Sequence, residues 1–209
     1  MLHPVALAPA LGPWLDLAGL AVFAASGALA AAKRGQTFVT LAFFALVTGV
    51  GGGTVRDLLI EAPVFWVHDA RAAAACLTVA AVIWVTPERL WAGAALDWFD
   101  AAGLAAYAVF GAAKALGYGV PLVPAALMGV VTACVGGIIR DVLAGEPSIL
   151  MRPELYVTAA ALAAGLYAGL ERLGVPPPVA AGVGAGAGLV LRAAAIRWRL
   201  RLPAYRGRR

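Results

Sequence analysis

The sequence predicts an all-α integral membrane protein with seven transmembrane helices, arranged as two inverted three-helix repeats plus a seventh helix. Three observations carry that expectation. The 209-residue chain is 63% hydrophobic and 13% charged, with a mean hydropathy of +0.89. A soluble domain averages about 45–50% apolar and about 25% charged residues, so the excess fits an outer surface that also faces hydrocarbon. The apolar residues fall into seven stretches of spanning length, and the first half of the chain recurs in the second.

The stretches run at roughly 14–32, 38–60, 70–86, 98–116, 121–144, 153–170 and 177–196. Charge or turn residues separate them: Lys33-Arg34-Gly35, Pro63 to Asp69, Pro87-Glu88-Arg89, Gly117 to Gly119, Gly145-Glu146-Pro147 and Glu171 to Pro178. Trp14, Trp66, Trp84, Trp91, Trp98 and Trp198 fall near segment ends, where an indole suits the bilayer interface. The segments lack the alternating pattern of barrel strands and are rich in Ala, Leu and Gly, so helices satisfy the backbone.

The repeat appears at an offset of 84 residues. Asp16 and Gly19 match Asp100 and Gly103, and Gly27 matches Gly111. Gly52-Gly53-Thr54-Val55-Arg56-Asp57 matches Gly136-Gly137-Ile138-Ile139-Arg140-Asp141, and Pro63 matches Pro147. Repeat 1 covers 14–86 and repeat 2 covers 98–171; helix 7 at 177–196 and a basic tail at 197–209 follow. Three spans separate matching points, so the halves have opposite directions in the membrane. Inverted repeats are a transport architecture with the pathway at the repeat interface; a duplicated scaffold is the plainer alternative.

Charge orients the chain. With the arginine-rich end in the cytoplasm, Lys33, Arg34, Arg89 and Arg152 share its side. Arg71, Lys114 and Arg172 lie opposite, and the amino terminus is outside. Met1–Pro13 lacks the Lys or Arg of a signal peptide. The net charge of +5 is concentrated in that tail, so nucleic acid is not an expected partner.

The candidate chemistry lies inside the second and fifth segments. Gly49, Gly51, Gly52 and Gly53, then Gly136 and Gly137, either break their helices or let helices pack closely; three consecutive glycines before Arg-Asp favour a break. Arg56-Asp57 and Arg140-Asp141 place charge within a span, at about 2.5–3.5 kcal/mol per residue by insertion estimates. They either line a pathway or pair crosswise, Arg56 with Asp141 and Arg140 with Asp57. Ser26, Thr48 and Thr132 either line a pore or bond their own helix. Lys114 is a candidate voltage sensor or a snorkelling interface lysine. Asp16 and Asp100 are read as helix caps. Cys76 and Cys134 read as packing residues, and His3 and His68 lie near segment ends. With no Ser/His/Asp set, no phosphate loop and no metal-ligand spacing, no enzymatic activity, cofactor or metal is expected.

These motifs resemble a known family. Gly51-Gly52-Gly53-Thr54-Val55-Arg56-Asp57-Leu58-Leu59 with Pro63-Val64-Phe65-Trp66, then Gly136-Gly137-Ile138-Ile139-Arg140-Asp141-Val142-Leu143-Ala144-Gly145-Glu146, resemble the two repeats of prokaryotic trimeric intracellular cation (TRIC) channels. Asp100 to Leu104 and Gly111 to Gly117 also fit. The same sequences carry a glycine-transporter label, which keeps a small-solute secondary transporter as the rival reading. The resemblance implies a homotrimer in the cell membrane with one pore per protomer, conducting potassium and sodium with a preference for potassium. It implies that the second and fifth helices kink at Gly51–Gly53 and Gly136-Gly137 beside the pore. It places Lys114 where animal channels carry residues tied to voltage or lipid response. The basic tail is a candidate partner for membrane lipids.

Overall fold

Small residues decide how the helices meet. In the computed structural model, which describes residues 12–91, 93–151 and 153–203, with side chains from residue 17 onward, seven helices form one bundle. They are α1 (Gly12–Ala32), α2 (Phe38–Leu59), α3 (Ala70–Val85), α4 (Ala95–Gly117), α5 (Leu122–Leu143), α6 (Val157–Arg172) and α7 (Pro177–Trp198). Among the described residues there is no strand beyond an isolated antiparallel bridge between Glu154 and Arg201. The readings made for Met1 to Leu11, for the Asp16 carboxylate, and for Arg152, Arg206, Arg208 and Arg209 lie outside the described residues.

The helix limits follow local chemistry. Thr37 caps α2, its hydroxyl accepting from the Thr40 N–H, and Asp69 caps α3 by accepting from the Arg71 N–H. The Arg71 guanidinium hydrogen-bonded to Asp69 also holds that carboxyl below its usual pKa. Pro176 precedes α7, and Pro177 occupies its first turn, where a missing N–H costs nothing. The sixth helix starts at Val157 rather than at 153. Proline at 147 and 153 holds the preceding stretch in a 3-10 turn at Ile149–Met151 and in the bridge to Arg201. By length and hydropathy α2, α4, α5 and α7 can each cross a membrane; α3 and the described part of α1 are apolar but shorter.

The packing has the symmetry of the sequence. Within repeat 1, α1, α2 and α3 contact one another; within repeat 2, α4, α5 and α6 do the same. Across the repeats, α1 meets α4 and α2 meets α5, while α7 packs on α4 and α6. Residues 84 apart meet at the crossings. Phe23 and Tyr107 stack edge to face at 5.3 Å, the Tyr107 ring lying over Gly19 and the Phe23 ring over Gly103. The core is largely alanine: Ala24, Ala28, Ala108, Ala112, Ala163 and Ala164 are wholly buried, and small side chains let helices gain dispersion contacts that lipid cannot offer. Outward, Val39, Leu58, Val85, Leu127, Val142 and Val190 are exposed, as a lipid-facing surface requires.

The two matching turns differ in one respect. After α5, Gly145 adopts φ +66°; after α2, Glu61 takes the equivalent conformation at φ 53°. In both turns the following residue donates back, Ala62 N–H to the Asp57 carbonyl and Glu146 N–H to the Asp141 carbonyl. The geometry is shared, but only one repeat uses the residue that adopts it without strain.

Candidate functional site

The site is built around the crossing of α2 and α5. A methyl group on Gly52 would overlap the Thr132 carbonyl, and one on Gly136 would overlap the Thr48 carbonyl. Gly52 and Gly136 are 84 residues apart, as are Thr48 and Thr132, so the contact is reciprocal about a pseudo-two-fold axis. Gly51 adds to it, its position facing the Ile139 side chain at 3.0 Å and the Gly136 Cα at 3.8 Å. The helices are not broken here: α2 runs unbroken through Gly51, Gly52 and Gly53, and α5 through Gly136 and Gly137. The expected break is therefore corrected. The glycines remove side chains so that two backbones touch, and the helical hydrogen bonds remain in place.

Beyond the crossing, each helix carries its Arg-Asp pair. The Arg56 Nε donates to Asp57 Oδ1 at 2.8 Å, and the Arg140 Nε donates to Asp141 Oδ1 at 2.9 Å. The second oxygen of each carboxylate accepts a backbone amide from the following turn, Phe65 N–H at 3.1 Å on Asp57 and Ile149 N–H at 2.8 Å on Asp141. Phe65 and Ile149 again match at the repeat offset. The crosswise alternative, Arg56 with Asp141 and Arg140 with Asp57, does not occur. The helices are antiparallel, so the two pairs lie about 20 Å apart along the bundle at about 1.5 Å per residue. Each Arg instead pairs with its own neighbour.

What each Arg reaches next differs. Arg140 crosses to repeat 1, donating to Ser26 Oγ at 2.7 Å, and pairs with Asp100 Oδ1 at 2.5 Å. Arg56 crosses to repeat 2, its guanidinium lying 5.2 Å from the centroid of the Phe110 ring. Ser26 and Phe110 are equivalent positions, so one repeat supplies an acceptor and the other an aromatic face. Asp100 is the sixth residue of α4 and fully buried. Its expected role as a cap is overturned; it is a counter-ion to Arg140.

Lys114 does not snorkel. Its ammonium lies 2.7 Å from Asp57 Oδ1, with its side chain only 19% exposed, and sits 6.0 Å from the Phe65 ring centroid. It ties α4 to α2 across the repeats. Thr132 bonds its own helix, donating to the Met128 carbonyl at 2.6 Å. Thr48 is buried with no hydrogen-bond partner for its hydroxyl. Ser26, Thr48 and Thr132 thus all lie in the inter-repeat core, and only Ser26 joins the charge network.

Sequence reasoning missed three participants. Asp100 was marked by its match to Asp16 in an apolar context, a signal that pointed to more than a cap. Tyr156 is buried, and its hydroxyl approaches the same place beside Gly137 as the Asp100 carboxylate. Arg192 lies within α7, buried beside the Tyr156 ring at 5.2 Å and paired with Glu154 at 2.7 Å. At the Arg140 end a cavity of about 380 Å³ opens against Asp141, and the Arg34–Glu146 ion pair sits at its edge.

Two three-helix units of opposite direction, charges buried at the interface and an apolar exterior define an inverted-repeat helical membrane protein. The family model described as "Glycine transporter" matches residues 13–88 and again 97–172. The chain belongs to that family, the TRIC channel family of the sequence resemblance. It is 38% identical over 196 residues to the UPF0126 inner membrane protein YadS of Escherichia coli (strain K12), spanning 92% of this chain and 95% of that one. Its fold is similar to that of the TRIC trimeric intracellular cation channel orthologue from Rhodobacter sphaeroides. That match has a TM-score of 0.85 at 40% identity and covers 91% of this chain and 99% of that one. A second solved structure, described under conductance through TRIC cation channels, matches with a TM-score of 0.81 at 29% identity over 94% of this chain and 98% of that one.

Proposed function

We propose that the protein is a monovalent cation channel that prefers potassium, a homotrimer with one pathway per protomer between the inverted repeats. The observation that carries this reading is the pair of buried charge networks, Arg56-Asp57-Lys114 and Arg140-Asp141-Asp100, flanking the α2–α5 crossing at opposite ends. Charges at membrane depth are costly, and substrate or ion pathways are among the sites they mark. The relatives described as TRIC cation channels point the same way. At Gly52 and Gly136 the two backbones touch, and on this reading that crossing is the closed gate. Bending of α2 and α5 at Gly51–Gly53 and Gly136-Gly137 opens it and turns backbone carbonyls toward the ion. Lys114 leaving Asp57 is the voltage-responsive step; a charge crossing the whole field gains about 2.3 kcal/mol per 100 mV. The protein sits in the cell membrane with its carboxyl terminus in the cytoplasm, where the basic tail meets anionic lipid.

Planar-bilayer recording in asymmetric potassium chloride, followed by replacement of potassium with sodium, tests the proposal. Unitary currents reversing near the potassium potential support it; silence across voltages with full incorporation sinks it. The second reading is a secondary transporter of a small zwitterion such as glycine. The cavity against Asp141 favours it, because that cavity carries basic and acidic side chains together. Saturable uptake of labelled glycine into liposomes, without unitary currents, selects that reading.

A further inference from the structure

The repeat offset relates more than backbone. It places Lys114 over Ala30, Asp57 over Asp141, Arg56 over Arg140, Ile60 over Ala144 and Phe65 over Ile149. At one end of the bundle the Lys114 ammonium rests on Asp57 and near Phe65. At the other end the equivalents Ala30, Arg140, Asp141, Ala144 and Ile149 all border the cavity of about 380 Å³. The cavity therefore occupies the space that a lysine at position 30 would fill. Repeat 2 supplies its own cation to the carboxylate across the interface; repeat 1 stops at a methyl group.

At the cavity end the buried charges do not balance. Arg140 is shared between Asp100 and Asp141, and Arg34 is matched by Glu146. Lys33 and Asp97 also border the cavity. The cavity lining itself is balanced, Lys33, Arg34 and Arg140 against Asp97, Asp141 and Glu146; the excess is in the buried set, where the Arg140 guanidinium serves two carboxylates, Asp100 and Asp141. Asp100 Oδ2 is fully buried and has no hydrogen-bond partner. A net negative charge buried at membrane depth draws a compensating cation or a proton.

We infer that the cavity against Asp141 binds one potassium-sized monovalent cation, in the position that the Lys114 ammonium takes at Asp57. An ammonium group and a potassium ion are close in size and charge, so a pocket shaped like the lysine site suits potassium and rubidium better than the smaller, more firmly hydrated sodium. This deepens the cation-conducting reading and rests on it for its physiological meaning, but binding can be measured without conduction.

The test is the melting temperature of the full-length protein in nanodiscs at matched ionic strength in potassium, rubidium, sodium or N-methylglucamine chloride. Potassium and rubidium should raise it in a saturable way and N-methylglucamine should not. Ala30→Lys should be stable without potassium and lose the potassium-dependent rise, because its own ammonium occupies the site. Ala30→Met, which fills the space without charge, should also lose the rise. Asp97→Asn should raise the half-saturating potassium concentration several-fold. A melting temperature indifferent to the cation overturns the site, as does an Ala30→Met protein that keeps the full potassium response. A rise that follows pH instead of potassium assigns the charge to a proton and also overturns it. Saturable potassium stabilisation in a protein that passes no current leaves the site standing and removes the channel. Potassium currents from a protein with no such stabilisation do the reverse.

Discussion

Replacing Gly52 by alanine sets two effects of known sign against each other. Alanine is favoured over glycine in a helix interior by about 1 kcal/mol. The new methyl, however, would overlap the Thr132 carbonyl oxygen and lie 2.9 Å from its carbonyl carbon and 3.3 Å from its Cα. All three atoms are backbone, so no rotamer change relieves them and α5 must move away from α2. Overpacking of this kind costs about 1–3 kcal/mol. The same movement loosens the reciprocal Gly136–Thr48 contact, which places the cost toward the upper end. The expected net effect of Gly52→Ala is a loss of about 1–2 kcal/mol. Gly182→Ala is the matched control: its methyl meets nothing within 4 Å, so only the propensity gain remains. Gly53→Ala falls between them, because its methyl meets the edge of the Phe65 ring at 2.6 Å, a side chain that can turn. Thermal unfolding of the three variants in one detergent, followed by tryptophan fluorescence, gives the order. If Gly52→Ala is as stable as Gly182→Ala and both exceed the parent protein, the close crossing of α2 and α5 is wrong.

Other outcomes follow from the charge networks and turns. Asp57→Asn leaves Arg56 and Lys114 facing each other without an anion, and should cost about 3–5 kcal/mol; parent-like yield and thermal stability would contradict the network. Arg192→Met should cost less, about 1–2 kcal/mol, because the Glu154 carboxylate it abandons is one-third exposed and can be hydrated; unfolding midpoints in detergent report it. Glu61→Gly should stabilise by about 0.5–1 kcal/mol by removing left-handed strain, and a lower midpoint would show that the turn is not strained. Exchanging Arg34 and Glu146 tests the exposed pair at the cavity edge; a double-mutant cycle should give a coupling below about 1 kcal/mol, and a larger value would make it a structural lock.

The helices were legible because each apolar stretch ends in Pro, Gly or paired charge, and their bounds fell within a few residues except for α6. There Pro153 and Glu154 already interrupt the apolar run, and the contacts of Glu154 with Arg201 and Arg192 hold residues 153–156 out of the helix. The inverted repeat was legible from identities at Asp, Arg, Gly and Pro, which apolar composition cannot generate. Partner choice among the charges was not. Adjacent Arg and Asp can pair in sequence or across the bundle, and the decision depends on the antiparallel register of α2 and α5. The snorkelling alternative for Lys114 fails for a related reason: its distance from the helix end suits a snorkelling residue, and only the three-dimensional position of Asp57 draws it inward. The glycines carried two readings from the start, and the reciprocal carbonyl contacts favour packing over a break.

The third helix of each repeat has only 16 residues, against 22 in α2, α5 and α7. At about 1.5 Å per residue that is about 24 Å, short of a hydrocarbon core of about 30 Å. On the repeat 2 side α7 lies against α6 and restores full height, whereas among the described residues α3 packs chiefly on α1 and α2. Lipid along the α3 flank must compress to meet it, at a fraction of a kcal/mol per ångström. The protein therefore carries a one-sided thickness defect into the bilayer. Shorter acyl chains relax that mismatch.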